Sequence, residues 1–392
     1  MTLPESEARA KSAPDERLGR RAFVARTLGA AAALAAGGVA RVAAGEERGA
    51  TLAAQPPRLV IDALGEIHLD YDTALLDEIR ASGMRGCVVT VGNPGLHGPS
   101  AFDDLRRELE GYERHVAAHP TRLSRAISVA DLERAAARGT IALVYYTQNA
   151  TPIGDDAERL TTLRELGVRI VQLTYNTRNL LGDGCLERTN AGLSHFGRAV
   201  VARMNDLRML VDVSHCGEAT TTDAIEASRA PVAVTHAGCK AVFGHPRNKT
   251  DGALRALADK GGVIGIYQIN PYLGPRERNT LDDYLRHIDH AVNVAGIDHV
   301  AIGSDREHRR IPDTDEERRK LVAELSQLRP GARAGAIPGP ARVQWPFFIA
   351  ELNHPRRMET IAEALRRRGR TAAEVDKILG ANVLRLLRDS IG

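Results

Sequence analysis

Two short apolar runs between residues 209 and 238 decide the fold: MLVDVS at 209–214 leads to His215, and PVAVT at 231–235 leads to His236. Continuous runs of Val, Ile and Leu are typical of parallel strands that are buried on both faces. In α/β barrels the catalytic residues lie where such strands end. We therefore expect both imidazoles to enter one mouth and to suit a shared metal ion. The alternative is two unrelated histidines that form only local hydrogen bonds.

The same alternation of strand and helix patterns extends over 58–305. Eight β/α units with buried strands predict a closed (β/α)8 TIM barrel. The alternative is an open doubly wound sheet, but no GxGxxG motif follows the first predicted strand. The eight predicted strands are 58–64, 86–92, 140–146, 168–175, 208–215, 231–236, 262–268 and 299–305.

The composition is that of a globular protein and argues against nucleic acid as a partner. The 53 basic and 50 acidic residues nearly cancel, and the formal charge of +3 is too small for a nucleic-acid binder. Aromatic residues make up 4% of the chain, too few for a surface on which bases stack. The four cysteines include no CxxC pair and are too few for a disulfide scaffold.

The N-terminal residues 1–44 have the pattern of a Tat export signal. The twin arginine at 20–21 precedes an alanine-rich apolar run at 27–40, and VAA at 42–44 offers a cleavage site. The apolar run is shorter than the roughly 20 residues that cross a bilayer, so we expect no stable membrane span. We expect the mature protein to begin near Gly45 and to work in the periplasm or outside the cell.

The rest of the chain is organised as a linker, 45–57, and a single barrel domain, 58–392. A segment at about 306–345, with a Pro/Gly-rich end, follows the eighth predicted strand, so we expect it to lie over the barrel mouth as a lid-like insertion. The tail, 356–387, has the pattern of C-terminal helices with a break at 369–371.

A carboxylate at another strand end completes the candidate site. Asp305 ends the eighth predicted strand, and with His215 and His236 it forms a set of imidazole and carboxylate groups that suits Zn²⁺ or a similar ion. A bound zinc ion acidifies its water and polarises a carbonyl, as amide hydrolysis requires. Asp305 is therefore a candidate metal ligand or the base that takes the proton from that water.

Several segments resemble the membrane (renal) dipeptidase family in order and in spacing. They are LVDVSH at 210–215, APVAVTHAG at 230–238, HPRN at 245–248, GIDHVAIGSD at 296–305 and ILGANVLRLL at 378–387. The resemblance implies a barrel of the metal-dependent amidohydrolase type that holds two zinc ions and cleaves dipeptides. It implies that His215 and His236 bind one zinc. It further implies that Arg247 receives the substrate carboxylate and that Asp305 lies near the catalytic water.

The end of the first predicted strand departs from the family pattern. Family members carry Asp-Gly-His-x-Asp there, whose His and Asp hold the other zinc. This chain has Asp-Ala-Leu-Gly-Glu at 62–66, so Leu64 replaces the histidine and Glu66 becomes the candidate ligand. A His-x-Asp pair, His68 and Asp70, follows four residues later and reaches the site only if the loop folds back.

Two further positions also differ from the family. Gln148, after the third predicted strand, stands where the family has a glutamate that bridges the two zinc ions, and it is the other altered candidate ligand. A neutral amide cannot offset the repulsion between two divalent cations. Tyr175 stands in place of the family's histidine beside the substrate. These changes predict one zinc site with a weak or absent second one.

Three functions remain open from the sequence. The first is a metal-dependent hydrolase of dipeptides, or of a related small amide with a free carboxylate that Arg247 binds. The second is a single-metal hydrolase of another amide, a lactone or an ester, which Leu64 and Gln148 favour. The third is a catalytically inactive exported binding protein, because the bridging carboxylate is absent. The sequence also leaves a homodimer open.

Overall fold

The computed structural model of the chain describes residues 59–327 and 344–392. The predicted Tat signal, 1–44, and the predicted linker, 45–57, lie outside the described residues, as does part of the predicted insertion. Among the described helices, none is both long enough and apolar enough to cross a membrane.

A parallel sheet wrapped into a barrel forms the centre of the described part of the chain. Its strands are β1 Val60–Asp62, β2 Met84–Thr90, β3 Leu123–Arg125, β4 Ile141–Thr147, β5 Val168–Gln172, β6 Leu210–Asp212, β7 Val232–Ala237, β8 Val263–Ile266 and β9 Val300–Ile302. The hydrogen-bonded order is β1-β2-β4-β5-β6-β7-β8-β9. The two ends of this order meet, because the amide of Ala63 donates to the carbonyl of Ile302 (2.8 Å) and the amide of Asp305 to that of Leu64 (2.8 Å).

Each of the eight predicted strands corresponds to one strand of this order, and the TIM-barrel prediction is confirmed. The additional strand β3 pairs with β4 off the main order. Its sequence is LSR, which contains no apolar run, so the pattern that reveals the other strands does not reveal this one.

Helices connect the strands, and local sequence sets their ends. They are α1 Thr73–Ala81, α2 Pro99–Ala118, α3 Val129–Arg138, α4 Arg159–Glu165, α5 His195–Asp206, α6 Glu218–Ala227, α7 Asp251–Asp259, α8 Leu281–Ala295, α9 Asp315–Gln327, α10 Arg357–Arg367, α11 Ala372–Asp376 and α12 Asn382–Ser390. In α3, Ser128 and Asp131 form a capping box in which each side chain accepts from the backbone amide of the other. Gly139, at φ +70°, ends the same helix in the left-handed conformation that glycine adopts most easily.

The last helix, α12, closes the N-terminal end of the barrel. Val383 and Leu387 belong to the same buried cluster as strand residues that include Ile170. The side chain of Arg385 donates to the carbonyl of Gly261, just before β8 (2.8 Å). The contact places α12 where the strands begin. The C-terminal ends of the strands are therefore the end that is left for a site, as in other TIM barrels.

The described part of the predicted insertion contains α9, whose Leu321, Val322 and Leu325 line a pocket at the C-terminal ends of the strands. In the tail, α10 and α11 are separated by Gly369, at φ +85°, and by Thr371, which caps α11. This is the break that the sequence predicts. One π-helical turn joins α11 to α12.

Candidate active site

The two strand-end histidines meet beside this pocket. His236 lies in β7, and His215 follows the end of β6 by three residues. Both side chains are buried. Their Nε2 atoms lie 2.9 Å apart. The structure therefore brings the two predicted zinc ligands together.

Hydrogen bonds at the other ring nitrogens fix the positions of the protons. Nδ1 of His215 faces the acceptor Oδ1 of Asn176 (2.7 Å), so we assign the proton to Nδ1. Nδ1 of His236 faces the hydroxyl of Thr235 (2.9 Å). That hydroxyl donates to the buried carboxylate of Asp212 (2.9 Å), and its oxygen therefore accepts from His236. In both rings the lone pair of Nε2 then faces the other ring.

Both imidazoles are held in the neutral form. Burial lowers the pKa of His215 well below the usual value for histidine, and the charges of Arg247 and His236 lower it further. Burial, and then the charge of Arg247, likewise lowers the pKa of His236 well below that value. A neutral imidazole is the form that binds a metal ion.

The pair fits a metal ion in its chemistry. Two lone pairs that face each other at 2.9 Å repel unless a cation binds both. Two imidazole nitrogens on one tetrahedral zinc ion lie about 3.3 Å apart, because each Zn–N bond is about 2.0–2.1 Å long, so the pair is within about 0.4 Å of that separation. A hydrogen bond from the outer ring nitrogen is also the usual support of a metal-binding histidine. The donor set is small, because no group of three or more His, Cys, Asp and Glu side chains in the described residues could hold a metal ion.

The end of β1 does not form the second metal site of the family pattern. Leu64 is fully buried and offers no ligand atom. The carboxylate of Asp62 accepts from the amide of Ser304 (2.8 Å), from its hydroxyl (2.5 Å) and from Nε2 of His308 (3.1 Å). Asp62 therefore binds the segment after β9 and contributes to the fold there.

Glu66 and Gln148 line the same pocket and are joined through Thr90. Nε2 of Gln148 donates to the hydroxyl of Thr90 (2.9 Å), and that hydroxyl donates to Oε1 of Glu66 (3.2 Å). Gln148 thus donates a hydrogen bond where a bridging carboxylate would bind cations. Among the described residues, Glu66 does not form a ligand group with the two histidines, and its role as a ligand stays a prediction.

The loop after β1 carries His68 and Asp70 along the same pocket. The ring of His68 packs on Tyr71, with ring centres 5.6 Å apart, and its Nε2 lies 3.9 Å from Oε2 of Glu307. Neither His68 nor Asp70 forms a ligand group with the histidine pair among the described side chains. The loop therefore brings both side chains to the pocket without forming a ligand group with the histidine pair among the described residues.

Tyr175 and Asp305 lie in the pocket that His215 lines. The ring of Tyr175 stacks on that of His215, with ring centres 4.2 Å apart and planes inclined by 23°. The backbone of Asp305, after β9, has φ +53°, a left-handed conformation that aspartate tolerates better than most residues other than glycine. Such conformations are concentrated at active sites. Asp305 thus lies at the barrel mouth with His215, and its part in the reaction stays a prediction.

Arg247 binds backbone carbonyls at or beside the two histidines. Its buried guanidinium donates from Nη1 to the carbonyl of Ser214 and from Nη2 to that of His236 (3.2 Å). It also lies over the ring of Tyr267, 5.7 Å from the ring centre. A guanidinium has five N–H donors, so Arg247 can hold these carbonyls and still face the pocket that it lines.

The pocket has a volume of about 970 Å³. Its lining combines ionisable side chains, such as Glu66 and Arg247, with apolar ones, such as Ile269 and Phe347. A pocket of this size and mixed lining suits a small organic substrate.

Sequence reasoning missed the residues that orient the histidines. The carboxylate of Asp212 accepts from the hydroxyls of Tyr146 (2.6 Å), Ser214 (2.7 Å) and Thr235 (2.9 Å). A signal was present, because an aspartate inside the run LVDVS and a threonine inside VAVT are polar groups in buried strands and need partners. Lys249 lies outside the predicted strands, so its sequence position carries no comparable signal.

Comparison with known proteins agrees with this geometry. The sequence profile described as "Membrane dipeptidase (Peptidase family M19)" matches residues 76–328, which is more than half of the chain. The chain belongs to the membrane dipeptidase family. The resemblance that the strand-end motifs predict is thereby confirmed.

Two relatives show how far the similarity of sequence extends. An "uncharacterized protein in pqqA 5'region" of Klebsiella pneumoniae is 33% identical over 222 residues, which are 54% of this chain and 82% of that protein. Dipeptidase tcpJ of Claviceps purpurea is 28% identical over 294 residues, which are 74% of this chain and 60% of that protein. The chain thus spans less than two thirds of the length of this second relative.

Solved structures share the architecture. An amidohydrolase from Pseudomonas aeruginosa has a TM-score of 0.75 and 28% identity, and the match covers 85% of this chain and 96% of that one. The metallopeptidase dipeptidase AC has a TM-score of 0.70 at 20% identity, with 86% and 99% covered, and is similar in fold. These matches confirm the amidohydrolase-type barrel. Membership of the membrane dipeptidase family makes the chain a metal-dependent hydrolase of the dipeptidase type.

Proposed function

We propose that this protein cleaves the amide bond of a dipeptide, or of a related small amide with a free carboxylate, at one zinc ion bound by His215 and His236. The observation that carries the proposal is the pair of neutral imidazoles whose Nε2 atoms lie 2.9 Å apart beside the pocket. The relatives named as dipeptidases support the substrate class.

His215 and His236 would hold the zinc ion, which when bound would lower the pKa of a water molecule and polarise the substrate carbonyl. The carboxylate of Asp305 holds the proton that the attacking water gives up and returns it to the leaving amine nitrogen. Arg247 attracts the substrate carboxylate with its guanidinium charge. Tyr175 covers one face of the His215 ring and so limits the access of water to it.

A second candidate is a single-metal hydrolase of another amide, a lactone or an ester. It is favoured by Leu64 and Gln148, which offer no anionic ligand for a second zinc ion. Turnover of such a substrate, with no hydrolysis of dipeptides, would replace the first candidate with this one.

The test is hydrolysis of a panel of dipeptides by the zinc-loaded protein, beside the His215→Ala and His236→Ala variants. We expect release of amino acids by the wild type and loss of at least about 100-fold in kcat/KM in both variants, which is about 2.7 kcal/mol. His195→Ala is the matched control, because His195 is exposed at the start of α5.

Unchanged kcat/KM in both the His215→Ala and the His236→Ala variants would show that the histidine pair takes no part in the mechanism. Tight binding of a dipeptide that is recovered intact from the wild type, in a protein that takes up no zinc, would favour the exported binding protein.

We propose in addition that the chain is exported by the Tat pathway to the periplasm or beyond. The support is the sequence at 20–44, where the twin arginine precedes a weakly apolar run and a small-residue cleavage site. Replacement of both Arg20 and Arg21 by lysine should leave the uncleaved chain in the cytoplasm. Cell fractionation measures this, and unchanged export of the variant would refute the proposal.

A further inference from the structure

The turn that carries His215 is held by side chains and backbone groups from other parts of the fold. This turn, 213–216, links the end of β6 to α6. Within it, the carbonyl of Ser214 accepts from Arg247, and the carbonyl of His215 accepts from the amide of Cys185 (2.7 Å). The two inner carbonyls of the turn thus have partners outside it.

The two outer carbonyls of the turn share one buried ammonium group. Nζ of Lys249 donates to the carbonyl of Val213 (2.7 Å) and to that of Cys216 (2.9 Å). It also donates to the hydroxyl of Thr221 in α6 (3.0 Å). All three N–H donors of the ammonium are therefore used, and two of them fix the ends of the turn on either side of His215.

The backbone of Lys249 is bound to the segment after His236. Its amide donates to the carbonyl of Gly238 (2.9 Å), and its carbonyl accepts from the amide of Lys240 (2.8 Å). One residue thus connects the segment that follows His236 to the turn that carries His215. A shift of either segment would change the distance between the two imidazoles.

The chemistry of this lysine is unusual for a structural residue. Its side chain is 3% exposed, and among the described side chains no carboxylate forms an ion pair with it. Burial lowers the pKa of its ammonium, and the nearby charge of Arg247 lowers it too. A buried charge without a counter-ion is costly in free energy, and three backbone and hydroxyl oxygens offset that cost only if the turn keeps its shape.

We propose that Lys249 is a positioning residue of the metal centre, which fixes the turn 213–216 and so sets His215 at the distance from His236 that one metal ion requires. This inference rests on the proposed function for the metal itself. The effect of Lys249 on the turn does not depend on the proposed function, and it can be measured in the metal-free protein.

The experiment compares Lys249→Met with Arg169→Met in the mature chain. Arg169 is the matched control, because it is also a buried cation that donates to backbone carbonyls, at 2.7–3.0 Å. It lies at the start of β5, at the opposite end of the barrel from the site. Each variant removes a buried positive charge, and of these two residues only Lys249 contacts the turn 213–216.

Two quantities are measured for each variant: the dissociation constant for zinc, by competition with a chelator, and the amide hydrogen exchange of 213–217 in the metal-free protein. In Lys249→Met we expect zinc affinity to fall about 10- to 100-fold, the range for groups that orient a metal ligand. Exchange in the turn should quicken. Excess zinc should restore the rate of hydrolysis. In Arg169→Met both quantities should stay within about 2-fold of wild type.

If Lys249→Met does not fold, Thr221→Val is measured in its place, because it removes one acceptor of the ammonium. Compared with Arg169→Met, it should quicken amide exchange in the turn and weaken zinc binding. The inference is overturned if Lys249→Met, or Thr221→Val in its place, matches Arg169→Met in both measurements. A wild-type chain that binds no zinc would instead refute the proposed function, and exchange in the turn would still decide whether Lys249 holds it.

Discussion

Thr235→Val tests whether the hydrogen bonds around His236 keep its metal-binding nitrogen unprotonated. Valine has nearly the same shape as threonine but has no hydroxyl. The change removes the bond to Asp212 (2.9 Å) and the acceptor for Nδ1 of His236 (2.9 Å). We expect His236 to move its proton to Nε2 and to donate to Nε2 of His215, 2.9 Å away. That arrangement pairs the N–H of His236 with the lone pair of His215 but occupies the position of the metal.

The structure sets the size of two separate effects. The free energy of unfolding should fall by about 1.5–3 kcal/mol, because the carboxylate of Asp212 loses one hydrogen bond of the charge-assisted kind. The affinity for zinc should fall by about 10- to 100-fold, as for other residues that orient a metal-binding histidine. This is about 1.4–2.7 kcal/mol.

The assays are denaturant unfolding of the metal-free protein and zinc titration against a chelator, with nitrogen NMR of the imidazoles to report the tautomer. Thr140→Val is the control, since Thr140 is buried and its hydroxyl bonds to Ser124 (3.2 Å) at the other end of the barrel. The reasoning is refuted if Thr235→Val binds zinc as tightly as Thr140→Val does, or if His236 keeps its proton on Nδ1.

Two other predictions concern the support of the site. Gly303→Ala should lower the free energy of unfolding by about 3 kcal/mol, because an added Cβ would overlap the carbonyl oxygen of Thr235. Denaturant unfolding should show little change for Gly244→Ala, because an added Cβ there would have no atom of another described residue, apart from its chain neighbours, within 4 Å. Burial lowers the pKa of His287 to about 4, below the unfolded value of about 6.5. The stability from its neutral ring is thus full above pH 6.5 and is lost as the pH falls towards 4. The difference in unfolding free energy between wild type and His287→Gln should shrink by up to about 3 kcal/mol over that range, and a constant difference would contradict this.

The barrel could be predicted because buried parallel strands leave a strong local pattern. Runs such as PVAV at 231–234 are apolar throughout, and the helical segments between them repeat their apolar residues about every 3.6 positions. β3 was missed for the opposite reason. Its pairing with β4 depends on backbone hydrogen bonds, and its sequence, LSR, contains no apolar run.

The histidine pair was also predictable, because each histidine ends such a run. The partners of these histidines were harder to predict. Arg247 was expected to bind substrate, and the structure shows that it also donates to the carbonyls of Ser214 and His236. Lys249 reaches a turn more than 30 residues earlier in the chain. Contacts from a side chain to distant backbone carbonyls have no spacing in the sequence, because any residue supplies the carbonyl.

The departures from the family pattern could be read from the sequence, but their structural result could not. Leu64 and Gln148 predict the loss of a metal site, and only the fold shows that Gln148 joins Glu66 through Thr90. The fold also shows that His68 stays in the loop after β1 and packs on Tyr71.

The central claim is that His215 and His236 alone among the predicted ligands hold one metal ion. The most direct measurement is the amount of zinc per chain, after the mature protein is loaded with zinc and dialysed, beside the His236→Ala variant. We predict one equivalent for the wild type and none for the variant. Two equivalents in the wild type, or one that survives in His236→Ala, would contradict the claim.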